Sequence, residues 1–443
     1  MKFFIHSKYG EILDLALHLQ NTGHEVVFYV PEKDYTLIGE GLVPKADNWM
    51  DYRNKEYIWI FDGCTDGKFQ DWLRSTGELV FGGSQRGDRM ENDRQLNQAW
   101  FKAAGFYQPK SKNFTDFDEA LKFVEAHKDQ LWILKQNGEA PKGLSHMGKF
   151  PGSEDMIFHI EELKKKWNVA EFGPIDFDLA EIVEGMEVAA SVFYNGNDVL
   201  RDESGKMVGF LNFEEKKEGN GGTGETCGEM GTTFIQANEA NKLFNRIINR
   251  PKILEGLQKM NFRGVFDINC IVQEDGKITA LEPTMRLGIP STSYEMEEAC
   301  SNCAEVIQAV ATGEQVIPQL TPGIGMVMCL VAKPFPIEGD VEKESTSQGE
   351  RLWILDAGSP TQSLSPEQSK HIHLYNFHRP ESYLKVATKN GYLLTCTGTG
   401  DSISRTRSSL IKYIKNNLYI PGMKFRTDIG TRMEQAFAKR KER

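Results

Sequence analysis

The chain lacks any apolar run long enough to cross a bilayer. Its longest, "GIGMVMCLVA" at 323–332, falls far short of the roughly 20 residues a spanning helix needs. The N-terminus "MKFFIHSKYGE" also lacks the apolar core of a signal peptide, because His6 and Lys8 interrupt it. These two absences predict a soluble, cytoplasmic protein. Cysteine is sparse: seven in 443 residues, an odd number without framework spacing, which excludes a disulfide scaffold and fits a reducing compartment. Cys300 and Cys303 have CxxC spacing, but no second pair or histidine cluster completes a zinc site, so a helix face is expected for them. Positive charge is in deficit, 52 Lys and Arg against 63 Asp and Glu for a net −11, which argues against a general nucleic-acid binder. A local basic pocket for a phosphorylated small molecule stays open.

Two glycine-containing segments also lack what a nucleotide loop requires. The first strand–helix turn, "HSKYGE", offers one glycine where a dinucleotide fingerprint uses three, so it is not read as an NAD site. The stretch "GNGGTGETCGEMG" at 219–231 places six glycines in thirteen positions yet holds no lysine. It therefore lacks the cation with which an NTPase loop grips the β- and γ-phosphates. A loop for another substrate, or a flexible surface turn, remains.

What is present suggests roughly three domains at about 150 residues each. "KFFIH", "EVVFYV", "YIWIF" and "LVF" read as buried strands, with "EILDLALHLQNTG" a helix between the first two. This order predicts a small parallel sheet covered by helices. "ENDRQLNQAWFKAAG" has helical spacing and stops at Gly105. "LAEIVEG", "EVAASVFYNG", "DVLRD" and "KMVGFLNF" form a run of strands with antiparallel grammar. A long helical stretch over 237–260 leads to "GVFDINCIVQ" and "KITALEP", joined by "EDG" as a hairpin. Beyond "TPGIG" come short strands, a helix near "SISRTRSSLIKYIKNN" and a basic tail, "AKRKER", read as a solvated helix end.

Two lysines sit where phosphates could be held. Lys135 ends the strand "LWILK", and Lys142 lies in the loop "QNGEAPKGLS" after it. A strand lysine, a loop lysine and, 40-odd residues on, a strand carrying "AEIVEGME" make the arrangement by which ATP-grasp ligases hold ATP between two sheets. From there the chain resembles the phosphoribosylamine–glycine ligase family from end to end. "FGGSQRGDRMENDRQLNQAWFKAAGFYQPKS" is similar to the segment joining the family's N-terminal domain to its ATP-grasp region. "WILKQNGEAPKGL" resembles the lysine strand and glycine-rich lid, one residue shorter. "EGNGGTGETCGEMG" resembles the substrate loop, "FRGVFDINCIVQEDGKITALEPTMRLGIP" the metal-binding hairpin and "FRTDIGTR" the closing motif. Each piece alone is a weak pattern; five in order, at family-like spacing, are specific.

The resemblance implies an α/β and α+β multidomain protein. It would comprise a Rossmann-like domain over 1–104, an ATP-grasp domain over 105–318 with a lid at about 112–183, and a mixed β domain over 319–443. It further implies that Lys135 and Lys142 bind the α- and β-phosphates of ATP as compact cations. The backbone of Glu181 and Val183 would read the adenine edge, and Glu187 the ribose hydroxyls. Glu282, with Asn269 and Thr284, would ligate Mg²⁺ or Mn²⁺, and Arg286 would brace the transferring phosphate through its planar fork. With Lys142, Arg286 is the expected catalytic residue. Lys216, Lys217, Thr223, Gly224, Gly228 and Met230 would contact the acceptor substrate. Independently, Asp267 and Asn269 alternate onto one strand face, giving oxygen donors if that face points inward.

The departures from the family fall in two places. At the metal site Thr284 stands where the family has asparagine, and Leu287, Gly288, Ile289, Pro290 and Ser291 replace Phe-Gly-Asp-Pro-Glu. In the substrate loop Gly222 replaces an aspartate, Glu229 a glycine, and Glu215 a histidine ahead of Lys216 and Lys217. The ATP machinery looks retained and the acceptor pocket rewritten. The expected reaction is activation of a carboxylate by ATP as an acyl phosphate, followed by amide formation. Phosphoribosylamine and glycine are the family's substrates. A divergent ligase joining an amino acid to another amine, for example on a nucleotide, and a non-catalytic nucleotide-binding relative are the alternatives. The expected partners are small molecules, with neither membrane nor nucleic acid, for a monomer or homodimer.

Overall fold

The computed structural model describes residues 1–53, 56–137, 144–336, 345–356 and 358–441. They fall into two units, one of Met1–Glu91, Glu187–Asn269 and Pro283–Arg443, the other of Asn92–Met186 and Cys270–Glu282.

In the first unit four parallel strands run in the order Glu25–Tyr29, Lys2–His6, Ile58–Phe61, Leu79–Phe81. The Leu13–Asn21 helix connects the first two in sequence, as the alternating pattern predicts. "KFFIH" can be almost wholly buried because the sheet is covered on both faces, which is why the run is continuously apolar. Phe4, Tyr52, Trp59 and Phe61 stack within this core. Gly10, at φ +77°, turns the chain out of the first strand, and a Cβ there would meet the Ile38 side chain at 2.9 Å.

The same unit holds a larger antiparallel sheet. Within this unit its order runs from the Gly264–Val272 strand through Met186–Tyr194, Val208–Glu214, Gly231–Asn238, Ile324–Val331 and Tyr392–Gly400 to Ile372–Leu374. Strands from the last 120 residues thus extend it. "DVLRD" forms isolated bridges, Tyr194 to Val199 and Arg201 to Met207, rather than a regular strand. The predicted long helix divides into Lys242–Ile248 and Pro251–Lys259, because Pro251 cannot donate to a continuing helix and starts a new one instead. Cys300 precedes the Cys303–Thr312 helix and bridges Leu320, so the pair does not share a helix face. One turn, Ser293–Glu298, has π-helical bonding, with the Ala299 N–H donating to the Tyr294 carbonyl. It packs tightly: a Cβ on Gly325 would fall 1.8 Å from the Tyr294 ring.

The second unit is a four-stranded antiparallel sheet, Ser111–Phe114, Phe177–Glu181, Trp132–Gln136, His146–Met147, under the helices Phe117–Ala126 and Glu154–Lys166. Its core joins Phe114, Phe117, Trp132, Leu134, Ile160 and Phe177. Asp116 caps the first helix by accepting the Glu119 N–H, which satisfies one of the orphan donors of that end. No helix among the described residues is long and apolar enough to cross a membrane.

Candidate active site

In the first unit, the antiparallel sheet presents a polar face. Alternation puts Glu187 and Ser191 on one strand, Asn212 and Glu214 on the next, and Asp267 and Asn269 on a third. Lys216 gathers the carboxylates: its Nζ lies 2.8 Å from Glu187 Oε1 and 3.3 Å from Glu214 Oε2. Asn269 Nδ2 donates to Glu214 at 3.4 Å, and Asn212 Nδ2 donates to Glu295 Oε1 at 2.9 Å. Of the expected residues, Glu187, Lys216 and Asn269 are therefore brought together, with Asp267 beside them through Asn212.

This face holds more acid than the lysine neutralises. Burial, then the Glu214 charge, holds the Glu229 carboxyl well above its ordinary range, with Asp267 and Glu295 adding to the effect. Burial also pushes Glu295 up to about 7, against the Ser191 and Asn212 hydrogen bonds. Among the described residues the buried oxygens Asn269 Oδ1, Asn212 Oδ1 and Glu229 Oε1 have no hydrogen-bond partner. Such oxygens are costly to bury unless a cation or donor meets them, so the face fits a divalent ion or an ammonium group.

Also in this unit, Arg286 Nε lies 3.3 Å from Glu91 Oε1, whose other oxygen accepts the Met285 N–H at 2.7 Å. Burial disfavours the guanidinium charge, and Glu91, Cys64 and Glu11 outweigh it. Thr284 is half-buried on the same segment. At the carboxyl ends of the parallel strands, where ligands of such sheets bind, Ser7 donates to Asp62. Burial, then the Glu11 charge, pushes Asp62 up to about 7. Between about pH 4, the ordinary aspartate value, and pH 7 the folded form keeps a proton that the unfolded chain loses, so Asp62 lowers stability as pH rises through that window. Asp62→Asn should flatten that fall by a few kcal/mol, read from thermal unfolding across a pH series.

In the second unit, Lys135 stands opposite Asp178 in the strand register. Arg94 lies 4.0 Å from Asp178, and burial lowers its pKa while Asp178 and then Glu282 oppose that. Glu282 is exposed. The Glu181 N–H already donates to the Lys110 carbonyl, so of its two backbone groups that one is committed. Val183, just beyond the strand, is half-buried. Lys142 lies outside the described residues.

The glycine-rich stretch is a small hairpin, Lys217–Gly219 with Thr223–Thr226, turned through Gly221, Gly222 and Gly224 at positive φ. It is docked, not free. Asn220 Nδ2 donates to Thr427, and the Gly221 N–H donates to Asp428. Thr223 Oγ1 closes the turn onto the Asn220 carbonyl, and the Lys217 carbonyl accepts from Arg426. Gly228, at φ +77°, leads back into the sheet. Met230 departs from expectation: its side chain is 1% exposed, packed with Cys329 and Val331, and both its backbone groups are bonded, to Glu215 and Cys329. It is a core residue because the loop's last turn enters the sheet there.

Glu215, where the family has histidine, is anchored by Arg426 at 3.2 Å and Arg432 at 2.9 Å. Arg426, 1% exposed, also grips Asp428 at 2.7 Å. Replacing Arg426 with methionine leaves the buried Glu215 with Arg432 alone and should destabilise the fold by about 1–3 kcal/mol, measured as a drop in the urea midpoint.

Comparison with known proteins bears on this geometry. Phosphoribosylamine–glycine ligase from Nostoc sp. is 23% identical over 373 residues, covering 82% of this chain and 80% of the relative. The Vibrio cholerae enzyme is 22% identical over 369 residues, with 82% and 79% covered. The crystal structure of phosphoribosylamine–glycine ligase from Thermotoga maritima superposes with a TM-score of 0.69 at 18% identity, covering 97% of this chain and all of that one. The chain has the ATP-grasp fold and is similar in sequence to the phosphoribosylamine–glycine ligases. The ATP-grasp fold extends to the biotin carboxylase domain of 2-oxoglutarate carboxylase from Hydrogenobacter thermophilus, solved with ADP, magnesium and bicarbonate. That domain has a TM-score of 0.62 at 12% identity, covering 95% of this chain and 91% of that one. No family model matches the chain.

Glu214 and Glu295 belong to the polar face, and the sequence motifs miss both. Glu214 follows the apolar run "VGFLNF" on the same strand, so period-two alternation from Asn212 could have found it. Glu295 sits in a π-helical turn that no local pattern announces.

Proposed function

We propose that the chain is an ATP-dependent carboxylate–amine ligase with an acceptor pocket remodelled for a cationic amine. The observation that carries this reading is the acid gathered on the polar face, buried Asp267 with half-buried Glu214 and Glu229, beside Lys216. Relatives named phosphoribosylamine–glycine ligase support the ligase chemistry.

In this reading Lys135 and Lys142 hold the nucleotide phosphates, Glu187 the ribose, and the backbone of Glu181 and Val183 the adenine. Glu282, Asn269 and Thr284 hold magnesium, whose part when bound is to neutralise phosphate charge so that a carboxylate can approach. Arg286 stabilises charge on the transferring phosphoryl group. The carboxylate attacks, ADP leaves, and an acyl phosphate forms. The bound ammonium gives one proton to a carboxylate of the polar face, the neutral amine attacks the acyl carbon, and the C–O bond to phosphate breaks as the amide forms, the second proton leaving to phosphate. Exclusion of water matters because an acyl phosphate hydrolyses readily. Lys216 orders the acids of the acceptor side, and the hairpin of Lys217, Thr223, Gly224 and Gly228 offers backbone N–H groups to the acid substrate. The domain boundaries at 104/105 and 318/319, and a monomer or homodimer acting on small molecules, belong to the same proposal.

Glu229 and Glu215, both absent from the family pattern, favour a divergent amine over phosphoribosylamine. A coupled ADP-release assay separates the two. Turnover when another amine replaces phosphoribosylamine, with none on phosphoribosylamine plus glycine, supports the divergent pocket. Efficient turnover on the family pair alone rejects it.

A further inference from the structure

The π-helical turn Ser293–Glu298 contributes acid to two places. Glu295 belongs to the polar face, whereas Glu297 enters a separate cavity of about 240 Å³ lined by Asp14, His18, Ser369, His373 and Arg379. Asp14 comes from the first helix, His373 from the Ile372–Leu374 strand, and Glu297 from the π-helical turn. One ligand atom from each of the three lies within 4.8 Å of the others. Asp14 and His373 are 2% exposed, and the Glu297 side chain is 3% exposed.

The surroundings orient these groups as outer partners orient metal ligands. His373 Nε2 lies 2.7 Å from Thr397 Oγ1, which fixes the ring and leaves Nδ1 facing Glu297 Oε2 at 2.8 Å. Asp14 Oδ2 accepts from Ser293 Oγ at 2.8 Å, and that hydroxyl also meets Tyr375 and Thr395. Glu297 Oε1, deeply buried, meets no fixed donor among the described residues, and Glu297 can hydrogen-bond the Asp14 carboxyl only if one of the two carries a proton. An unmet carboxylate oxygen beside a second carboxylate and an imidazole is unstable without a cation or shared protons. π-Helical turns recur at functional sites.

We propose that Asp14, Glu297 and His373 form a binding site for one divalent transition ion of the Zn²⁺ or Mn²⁺ kind, separate from the nucleotide site. Imidazole nitrogen with two carboxylates suits these ions better than Mg²⁺ or Ca²⁺. His18, one turn along the helix from Asp14, lines the same cavity and is a further nitrogen donor. The ion would tie the first helix to a C-terminal strand. Burial pushes Glu297 up to about 8 and Asp14 well above its usual range, and it lowers His373 to about 4. His18, His371, Glu298, Arg379 and Tyr375 are the other ionisable groups around the cluster.

Full-length protein stripped with chelator and free of nucleotide is titrated with Zn²⁺, and with Co²⁺ as a spectroscopic probe. One equivalent should bind, raise the unfolding temperature and give Co²⁺ ligand-field bands. Glu297→Gln should weaken binding at least 100-fold. Thr397→Val, a milder change that frees the ring and drops a 3.3 Å bond to Glu298, should weaken it roughly 10- to 100-fold. Glu282→Gln, in the proposed nucleotide-metal set, should bind Zn²⁺ as the wild type does. No stoichiometric binding, or binding unchanged in both Glu297→Gln and Thr397→Val, overturns the proposal and leaves a proton-sharing carboxyl pair.

Discussion

Arg286→Ala lowers the rate of ATP-dependent ligation by about 10²–10³-fold, the usual cost of removing one preorganised group that stabilises transition-state charge. The fold should tolerate the change, because Glu91 keeps its bond from the Met285 N–H and so is not stranded. The expected result is a large fall in kcat with a small shift in unfolding temperature. Arg286→Lys should not restore the rate, since an ammonium cannot reproduce the planar fork that spans Glu91 and a phosphate. Rescue by lysine, or a fall in stability matching the fall in rate, would reduce Arg286 to a structural ion-pair partner of Glu91.

The second large effect concerns Glu229. Burial and the Glu214 charge hold its pKa well above the ordinary range, which favours the neutral form and limits its cost to the fold while the pocket is empty. In the proposed pocket an entering cationic amine would favour loss of that proton, and the carboxylate would become its countercharge. A charge-assisted hydrogen bond of this kind is worth about 1.5–3 kcal/mol. Glu229→Gln, which copies the neutral form, should therefore raise KM for the amine roughly 10- to 100-fold while leaving stability near the wild-type value. Calorimetry in buffers of different ionisation enthalpy adds a sharper sign. The wild type should release a proton on binding the amine, and Glu229→Gln should release less. Equal proton release in both proteins places the cation elsewhere.

Much of this was legible in the sequence because it rests on local rules. The parallel strands read from continuous apolar runs, and the alternation of Asp267 and Asn269 correctly put both on one face. Met230 misled, since a glycine-rich loop suggests ligand contact throughout while its last turn already belongs to the sheet. The long helix over 237–260 missed the break that Pro251 imposes. What no local pattern could supply are groupings of distant residues. Glu215 with Arg426 and Arg432 joins the substrate loop to the C-terminal motif. Asp14, Glu297 and His373 meet only because three separate segments pack together. The first grouping also explains a departure: a glutamate in the family's histidine position is stable here because two arginines face it.

The central claim is that ATP is spent on activating a carboxylate. Its most direct test supplies the enzyme with amino acids ¹⁸O-labelled in their carboxylates, a panel of amines and Mg-ATP, and reads the isotope in the released phosphate. If the carboxylate attacks the γ-phosphoryl group, each phosphate released in ligation carries one ¹⁸O. Phosphate without label, or Mg-ATP binding with no phosphate released under any pairing, contradicts the ligase account.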